Sequence, residues 1–278
     1  KIRVYFGNKK PTLKDIKNAT TTIEQQEKKT RLQSYQYITE QEAEFLEDIK
    51  ESFQQWKNTT PKSIQQKREE DIIIRYTYNT NAIEGNRLTL RETALILHDY
   101  ILPSGIQTKE YHEAINSKEC FTYLKQYTGT ITEQLILHVN ALLTKNTGVA
   151  TSGNIRTFNV EIQGSEHEPP RHETLQHHIK ELLKWYKQNK KKIHPFELAT
   201  LLHATLAWIH PFEDGNGRTA RALMNQILQR AGYPLFFIPV TKRQSYYEAI
   251  ELSDKQEYKE YIKKMLSLIQ EQLTNSTT

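Results

Sequence analysis

The sequence predicts an all-α protein with one small β-hairpin, and three observations lead to that fold class. Glycine and proline are scarce, with 10 and 9 residues among 278, so long regular elements are favoured over a β-sandwich with its many tight turns. Apolar residues recur at helical spacing along most of the chain. The alternation of apolar and polar residues that is typical of a strand is confined to one short internal stretch.

The first helix is predicted from Thr39 to about Trp56. Thr39 is followed three residues later by Glu42, which is the capping-box pattern at a helix N-terminus. The first ten residues are either a further strand or an ordered extension. Because the helix from Thr39 is the main regular element in this part of the chain, we predict an N-terminal helical extension over residues 1–67.

Helical periodicity continues through the rest of the chain. Each pattern places apolar residues three and four positions apart, so each helix has one face to bury and together they predict a helical bundle. The patterns span residues 89–100, 108–127, 132–146, 173–188, 195–210, 217–231 and 242–273.

One stretch interrupts this series. Residues 155–164, IRTFNVEIQG, alternate in the manner of a strand and end at Gly164. The prolines at 169 and 170 follow shortly afterwards. This stretch predicts a short hairpin, or flap, between two helices.

Charge and cysteine content bound the setting. A net charge of +5 is spread in short pairs and one lysine triplet, which favours a solvated basic face over a nucleic-acid interface. The single Cys120 allows no intrachain disulfide, so we expect a reducing, cytoplasmic location. No stretch approaches the length of a membrane span, so we expect no membrane partner. Because the basic residues form no dense stripe, we also expect no nucleic-acid partner.

The densest group of chemically active side chains lies at residues 209–223, IHPFEDGNGRTARAL. Pro211 cannot continue a helix cheaply, so the preceding helix is predicted to end near His210. Asn216 and Gly217 open the next helix. A Gly-Asn-Gly run at a helix N-terminus exposes backbone N–H groups at the positive end of the helix dipole, which predicts an anion site.

Three kinds of side chain surround this predicted anion site. Arg218 and Arg221 lie three residues apart and supply forked donors suited to phosphate oxygens. Asp214 is placed to bind a hard divalent cation of the kind that bridges phosphates. His210 lies on the other wall of the loop, where a neutral imidazole can accept a proton from an attacking hydroxyl. Any one of these residues alone has an ordinary structural explanation, but their density predicts a polyphosphate site with a metal ligand and a base.

The same stretch resembles the signature of a known family. HPFEDGNGRTAR matches the Fic-domain motif H-[PX]-F-x-[DE]-G-N-G-R-x-x-R at every defined position, and the resemblance covers about residues 70–265. It implies the Fic fold, with a catalytic domain that we predict over residues 89–278. The implied reaction is AMP transfer, in which ATP and a protein Ser, Thr or Tyr hydroxyl give an AMP-modified protein and pyrophosphate.

The resemblance also implies a role for each motif residue. His210 would deprotonate the target hydroxyl, Phe212 would anchor the loop in the core, and Asp214 would bind Mg²⁺ that bridges the α and β phosphates. The remaining motif residues would bind the nucleotide. Gly215, Asn216 and Gly217 would form the anion hole, with Asn216 helping to position the α-phosphate, and Arg218 and Arg221 would contact the β and γ phosphates.

Two further segments gain roles from this resemblance. The segment 159–170 resembles the family's flap, which binds the target backbone by strand addition, and Ile162 would lie in that clamp. The alternative is a hairpin that only covers the core. The segment 243–251 resembles the part of the family that lines the adenine pocket, with Tyr246 and Tyr247 as the candidate residues and Asp254 nearby.

An inhibitory segment is predicted over residues 68–88. TNAIEG, from Thr80 to Gly85, fits the pattern [ST]-x-x-x-E-[GN] that marks an inhibitory helix in this family. Gly85 would end the helix, which places Glu84 in its last turn, where its carboxylate would pair with Arg221 and make ATP bind unproductively. Residues 72–78, IIIRYTY, favour a strand by propensity, but the resemblance requires a helix.

The leading prediction is therefore a protein adenylyltransferase inhibited by Glu84. Alternatives on the same fold are removal of AMP from a target, or transfer of UMP or phosphocholine, although the Gly-Asn-Gly-Arg run favours AMP. A nucleotide-sensing regulatory protein without enzymatic activity is a further alternative, which His210 argues against because a sensor needs no base. The resemblance implies a protein substrate and leaves self-modification and homodimer formation open.

Four histidines invite a metal-site interpretation. Their spacing fits no standard zinc pattern, so we predict that they are solvated. They are His167, His172, His177 and His178.

Overall fold

The computed structural model describes residues 35–162 and 164–275, together with the isolated residues Thr12, Lys14 and Lys17. In these ranges the chain is all-α, as predicted, and no helix there is both long and apolar enough to cross a membrane. The strand or extension predicted for the first ten residues lies outside the described residues. The helices are α1 (Glu40–Thr59), α2 (Lys62–Ile83), α3 (Leu90–Leu97), α4 (Thr108–Gln126), α5 (Glu133–Thr144), α6 (Leu175–Asn189), α7 (Pro195–Ile209), α8 (Asn216–Arg230), α9 (Arg243–Asp254) and α10 (Tyr258–Asn275), with short 3₁₀ turns at His172–Thr174 and Val240–Lys242.

Helix α1 begins at the predicted capping box. The Thr39 N–H donates to Glu42 Oε2 at 2.7 Å, and Thr39 Oγ1 accepts from the Glu42 N–H at 3.3 Å. The buried side chains Ala43 and Leu46 join the main core of the molecule. This helix of the N-terminal extension therefore packs as part of the same core as the later helices.

Helices α7 and α8 form the centre of the fold. Almost every side chain of α7 is buried, including Phe196, Leu202 and Leu206, as expected of a helix that is apolar on all sides. α7 packs against α6, α9 and α10, and α8 packs against α4 and α5. The loop between α7 and α8 carries the sequence motif and is therefore supported from several directions.

Helix α2 contains the segment whose residues favour a strand. The helix runs through Ile72–Tyr78 without a break, so the helix prediction is confirmed. Its C-terminal half buries Tyr76, Thr80 and Ile83, and it packs against α3, α4 and α8. Burial of this face in a helical register outweighs the modest β propensity of the isoleucines.

The single helix predicted over residues 242–273 is wrong, because the structure has α9 and α10 there. The break falls at Gln256, which has a φ of 62°. The Gln256 N–H donates to Ser253 O at 3.0 Å and the Glu257 N–H donates to Leu252 O at 2.9 Å, which is the Schellman pattern of a helix C-terminus. Glycine usually occupies that left-handed position, so a glutamine there gave no signal in the sequence.

The hairpin predicted over residues 155–164 is not confirmed. Among the described residues of this segment no strands are paired, although a turn joins the Ser165 N–H to Ile162 O at 3.1 Å. Instead of a cross-strand partner, the carbonyls of Phe158 and Pro170 accept from the Arg156 guanidinium at 2.7 and 2.6 Å. We refer to residues 155–170 as the flap.

Candidate active site

His210 ends α7 in a left-handed backbone conformation. Its φ and ψ are 49° and 57°, and its N–H donates to Leu206 O at 3.1 Å. This conformation is costly for a residue with a β-carbon. The flap stabilises it, because Arg156 Nε donates to His210 O at 2.9 Å and the Arg156 N–H donates to Pro211 O at 2.9 Å.

The environment keeps the His210 imidazole neutral. Burial lowers the pKa of His210 from 6.5 to about 4, and the positive charge of Arg156 acts in the same direction. A hydrogen bond with the Ala207 backbone and the Glu84 carboxylate act against this shift without cancelling it. The ring is therefore unprotonated at neutral pH, which is the state that a general base requires.

The motif loop is closed by its own asparagine. Asn216 Oδ1 accepts from the Phe212 N–H at 2.9 Å, and Asn216 Nδ2 donates to Phe212 O at 2.9 Å. The Phe212 ring is buried, which confirms the predicted anchor. Asn140 of α5 adds a bond from its Nδ2 to Asp214 O at 2.9 Å. Since the side-chain amide of Asn216 spans the loop, the backbone N–H is the group that it offers to an anion.

The start of α8 has the geometry of an anion site. Gly215 has a φ of 80°, and a β-carbon there would lie 2.8 Å from Thr144 Cγ2, so the tight entry into the helix requires glycine. The N–H groups of Asn216, Gly217 and Arg218 occupy the first turn, where an α-helix offers no internal acceptor. The helix dipole adds to their attraction for an anion.

Arg218 and Asp214 form one side of this site. Arg218 Nη2 donates to Asp214 Oδ1 at 2.8 Å, and Arg218 Nη1 lies 3.0 Å from the buried carboxylate of Glu113 on α4. The Glu113 contact is an ion pair without hydrogen-bond alignment, and the buried Arg218 Nε and Nη1 atoms make no hydrogen bond within the described residues. Arg218 is thus held mainly by the charges of Asp214 and Glu113.

Asp214 carries the features of a carboxylate that can hold Mg²⁺ together with phosphates. Burial alone would raise its pKa, but Arg218, the Gly215 N–H and Lys109 together hold that pKa below its ordinary value. Its Oδ1 is bonded to Gly215 and Arg218, while Oδ2 lies 3.5 Å from Lys109 Nζ. The described residues contain no group of three metal-binding side chains. One carboxylate with phosphate oxygens nevertheless fits Mg²⁺, which usually binds with few protein ligands.

Arg221 forms the other side of the site and is bonded to two helices. Its Nε donates to Thr80 Oγ1 at 2.9 Å, and its Nη2 donates to Thr80 O at 2.9 Å and to Glu84 Oε1 at 2.6 Å. Its Nη1 donates to Tyr246 Oη at 3.1 Å. Burial would lower the pKa of Arg221, but Tyr246 and Glu84 raise it above its usual range, so the guanidinium remains charged.

Glu84 occupies the end of α2 beside this arginine. Gly85 follows it with a φ of 97°, its N–H donates to Ala82 O at 3.0 Å, and the Asn86 N–H donates to Asn81 O at 3.1 Å. This Schellman motif confirms Gly85 as the residue that ends the helix. A β-carbon at Gly217 would collide with the Glu84 carboxylate. An acidic group therefore lies against the first turn of α8, where the anion site is.

The candidate base-binding tyrosines are placed differently from each other. Tyr246 is fully buried, and its hydroxyl contacts Arg221 and His203. Tyr247 is half-buried, and its hydroxyl donates to Ile83 O at 3.0 Å. Asp254 Oδ1 is buried without a hydrogen bond among the described residues. A direct contact between any of these three residues and the adenine of a nucleotide stays a prediction.

Three of the four histidines predicted to be solvated, His167, His172 and His178, are instead half-buried, and two of them contact one tryptophan. His167 Nε2 lies 2.8 Å from Trp208 O, and the His178 ring packs edge-on at 5.3 Å from the Trp208 ring. The burial arises because the flap and α6 both pack against α7, which the sequence alone does not indicate. Ile162, predicted to dock a target, is half-buried at the turn of the flap.

Sequence reasoning missed several residues of the site because their partners are remote along the chain. They share one trait, since each is a polar side chain with little or no exposed surface, and a polar residue within an apolar helical pattern is the signal that could have identified some of them. They are Glu113, Asn140, Arg156 and His203.

Known proteins resemble this chain in sequence and in fold. Residues 130–228 match the Fic/DOC family. A protein adenylyltransferase Fic of Nematostella vectensis is 33% identical over 198 residues, which are 69% of this chain and 46% of that protein. Protein adenylyltransferase fic-1 of Caenorhabditis elegans is 28% identical over 78% of this chain and 43% of its own length. This chain thus spans less than half the length of the curated relatives that it matches.

Solved structures agree with this relationship. Fic-1 from C. elegans superimposes with a TM-score of 0.74 at 25% identity, covering 94% of this chain and 74% of that chain. A Fic-domain signalling protein from Bacteroides thetaiotaomicron also gives a TM-score of 0.74 at 25% identity, covering 84% of this chain and 94% of that chain. The similarity therefore extends well beyond the motif and includes most of the helical bundle.

Proposed function

The chain belongs to the Fic-domain family, and we propose that it is a protein adenylyltransferase that moves AMP from ATP to a hydroxyl group of a target protein. The observation that carries the proposal is the junction of α7 and α8. It combines a neutral buried histidine, an acidic side chain and a helix N-terminus with two arginines within residues 210–221. The names of the relatives support the same reaction.

His210 acts as the general base in this proposal. Its neutral ring takes the proton of a Ser, Thr or Tyr hydroxyl, and the hydroxyl oxygen attacks the α-phosphorus of ATP. The bond between the α-phosphorus and the bridging oxygen breaks, and pyrophosphate leaves. Arg156 supports this step, because its bond to His210 O fixes the backbone from which the ring projects. Fixed placement of a base contributes a large share of catalysis.

The start of α8 and its arginines bind the phosphates. The N–H groups of Asn216, Gly217 and Arg218 suit the α-phosphate, whose charge grows as the bond breaks. The guanidinium groups of Arg218 and Arg221 suit the β and γ phosphates, because both carry a fixed positive charge and forked donors. Asp214 would hold Mg²⁺, which neutralises phosphate charge when bound.

Glu84 inhibits the reaction by occupying Arg221. Its carboxylate accepts from Arg221 Nη2 at 2.6 Å and lies against Gly217 in the first turn of α8. A carboxylate there repels a terminal phosphate and takes the arginine that would bind it. ATP then either fails to bind or binds in a geometry that does not place the α-phosphorus beside the attacking hydroxyl.

The flap docks the target protein. Its backbone is unpaired with any strand among the described residues, so its N–H and C=O groups can pair with an extended segment of a target. Ile162 lies at its turn and would contact the side chains that flank the modified residue. Arg156 then joins target docking to the base, because it bonds to the backbone of both the flap and His210.

The test is nucleotide labelling of three purified proteins. Wild type, His210→Ala and Glu84→Gly are each incubated with α-labelled ATP, CTP, GTP and UTP, Mg²⁺ and a lysate from the source organism. We expect adenine-specific labelling of protein, strongest for Glu84→Gly and absent for His210→Ala. Preference for another nucleotide would change the assigned donor. No labelling by any nucleotide with Glu84 removed would overturn the enzymatic proposal.

A further inference from the structure

A chain of hydrogen bonds behind Arg221 has no part in the roles described so far. Arg221 Nη1 donates to Tyr246 Oη at 3.1 Å, and Tyr246 Oη lies 2.9 Å from His203 Nε2. His203 Nδ1 lies 2.9 Å from Tyr261 Oη, which donates to Thr200 O at 2.8 Å. The chain joins α8, α9, α7 and α10, and all of its side chains are buried.

The direction of every bond in this chain follows from its two ends. The Tyr261 hydroxyl donates its only proton to Thr200 O, so it must accept from His203 Nδ1–H. A neutral imidazole has one N–H, so His203 Nε2 accepts and the Tyr246 hydroxyl donates to it. Tyr246 Oη is thereby left with a lone pair directed to the Arg221 guanidinium. The oxygen that Arg221 meets is thus fixed as an acceptor.

His203 keeps this direction only while it is neutral. Burial lowers the pKa of His203 to about 3, and the charge of Arg221 acts in the same direction. A protonated ring would donate from both nitrogens, which would turn the Tyr246 hydroxyl proton away from it. The surrounding protein therefore keeps His203 in the one state that presents Tyr246 as an acceptor.

This series of hydrogen bonds is the part of the Arg221 environment that does not depend on the inhibitory segment. Thr80 and Glu84 both belong to the end of α2 and supply three of the four hydrogen bonds of Arg221. If the end of α2 moves so that Glu84 leaves, those bonds weaken or break together. The bond to Tyr246 remains, together with the Tyr246 ring, whose centroid lies 5.5 Å from Arg221 Cζ.

We propose that His203 is a positioning residue that holds Arg221, through Tyr246, in the place where it binds the terminal phosphates of ATP after inhibition is relieved. This rests on the proposed function, because it assumes that Arg221 binds those phosphates. His203 touches neither nucleotide nor target. Its effect is to keep the guanidinium from turning away when Glu84 no longer holds it.

The test compares ATP with AMP, because AMP lacks the phosphates that Arg221 would bind. Dissociation constants of both nucleotides are measured by calorimetry with Mg²⁺ in the Glu84→Gly protein and in the same protein carrying His203→Phe. We expect ATP to bind about tenfold more weakly in the His203→Phe variant, as for loss of one hydrogen bond to a charged group. The affinity for AMP should stay unchanged.

A matched control separates positioning from general damage to the core. His194 also lies at α7 and is buried, and its Nε2 is 3.3 Å from the hydroxyl of Tyr233. It makes no hydrogen bond to Arg221, Tyr246 or Tyr261. His194→Phe should change thermal stability without changing the ratio of the two affinities. If His203→Phe does not fold, Tyr261→Phe removes only the far hydroxyl and should shift the ratio in the same direction by less.

The outcomes distinguish this inference from the proposed function. Equal weakening of ATP and AMP, or no weakening of either, would overturn the role of His203. If the Glu84→Gly parent itself binds ATP no more tightly than AMP, the phosphate role of Arg221 fails. The position of Arg221 is then read without nucleotide, from the exchange of its ¹⁵N-labelled guanidinium protons with water. Exchange should be about tenfold faster in His203→Phe, and unchanged exchange would overturn the inference.

Discussion

The two sides of the anion site differ in how their arginines are held. Arg218 and Arg221 lie one turn apart on α8, and both are buried. Among the described residues, the Arg221 side chain makes four hydrogen bonds, three of them to Thr80 and Glu84 at the end of α2. Arg218 makes one hydrogen bond, to Asp214, and leaves Nε and Nη1 without hydrogen bonds among the described residues.

The difference shows where binding capacity and control lie. Two donor atoms of Arg218, Nε and Nη1, make no hydrogen bond among the described residues, although Nη1 is paired with the Glu113 carboxylate at 3.0 Å. The donors of Arg221 are already bonded, so a phosphate must displace a carboxylate to reach them. In the proposed function, inhibition therefore acts on Arg221 and leaves the Arg218 side of the site unchanged.

The largest expected effect on activity comes from removing the Asp214 carboxylate, on the Arg218 side of the site. In the Glu84→Gly background, Asp214→Asn should lower AMP transfer about a thousandfold, because it removes the only carboxylate that we assign to Mg²⁺. Initial rates over a Mg²⁺ titration measure this. The variant keeps the shape of the side chain, so its melting temperature serves as the control. Mg²⁺-dependent transfer at the parent rate would contradict the assigned role.

The next effect releases the Arg221 side. Glu84→Gly should raise self-labelling with AMP by about ten- to a hundredfold, which corresponds to one hydrogen bond between charged groups. Glu84→Gln keeps the size of the side chain and removes its charge, so it should give an intermediate rate. Labelling by both variants at the wild-type rate would show that the 2.6 Å contact does not limit activity.

The lowered pKa values of His203 and His210 should both make the protein less stable in acid. His210 and His203 have pKa values of about 4 and about 3 in the folded protein, against 6.5 as the ordinary value. The unfolded chain therefore binds more protons below pH 6.5, and the free energy of unfolding falls as the pH is lowered from about 6.5 towards 4. Urea titrations at several pH values measure this.

The rate should follow the folded pKa of the base. AMP transfer by Glu84→Gly should change little on lowering the pH to about 5, and it should fall as the pH approaches the His210 pKa of about 4. An acid limb with its midpoint near 6.5, the value for an exposed histidine, would contradict the buried neutral base.

The smallest expected effect concerns the exposed lysine beside Asp214. Lys109 is exposed and lies 3.5 Å from Asp214 Oδ2, so it competes weakly with a cation for that oxygen. In the Glu84→Gly background, Lys109→Ala should lower the Mg²⁺ concentration for half-maximal rate by about twofold, as expected for an exposed charge pair. Lys145→Ala, which removes a similarly exposed lysine paired with Glu119, is the matched control.

The sequence predicted the elements of the site that lie within one stretch of chain. Pro211 predicted the end of α7, and the Gly-Asn-Gly run predicted the start of α8. The pattern around Gly85 predicted the end of α2 with Glu84 in its last turn. These features follow from backbone preferences of proline, glycine and asparagine, which act over a few residues and can be read locally.

Other features could not be predicted because they depend on packing. Gln256 adopts a left-handed conformation that its side chain does not favour, and the flap pairs its carbonyls with Arg156 instead of forming strands. At Gln256 the two hydrogen bonds of the Schellman motif accompany this conformation, and in the flap a buried guanidinium takes the place of a strand partner.

The sequence by itself determined the helical fold and the chemical groups along residues 210–221. Only the tertiary structure decided which groups meet those residues. Thr80 lies 141 positions before Arg221, and the bond between Arg156 and His210 spans 54 positions. Hydrophobic periodicity determines which face of a helix is buried, but it does not determine which polar group on a neighbouring helix it meets. That choice depends on how the helices pack, which brings α2 and α9 to the Arg221 guanidinium and links α7 and α10 to it through Tyr246.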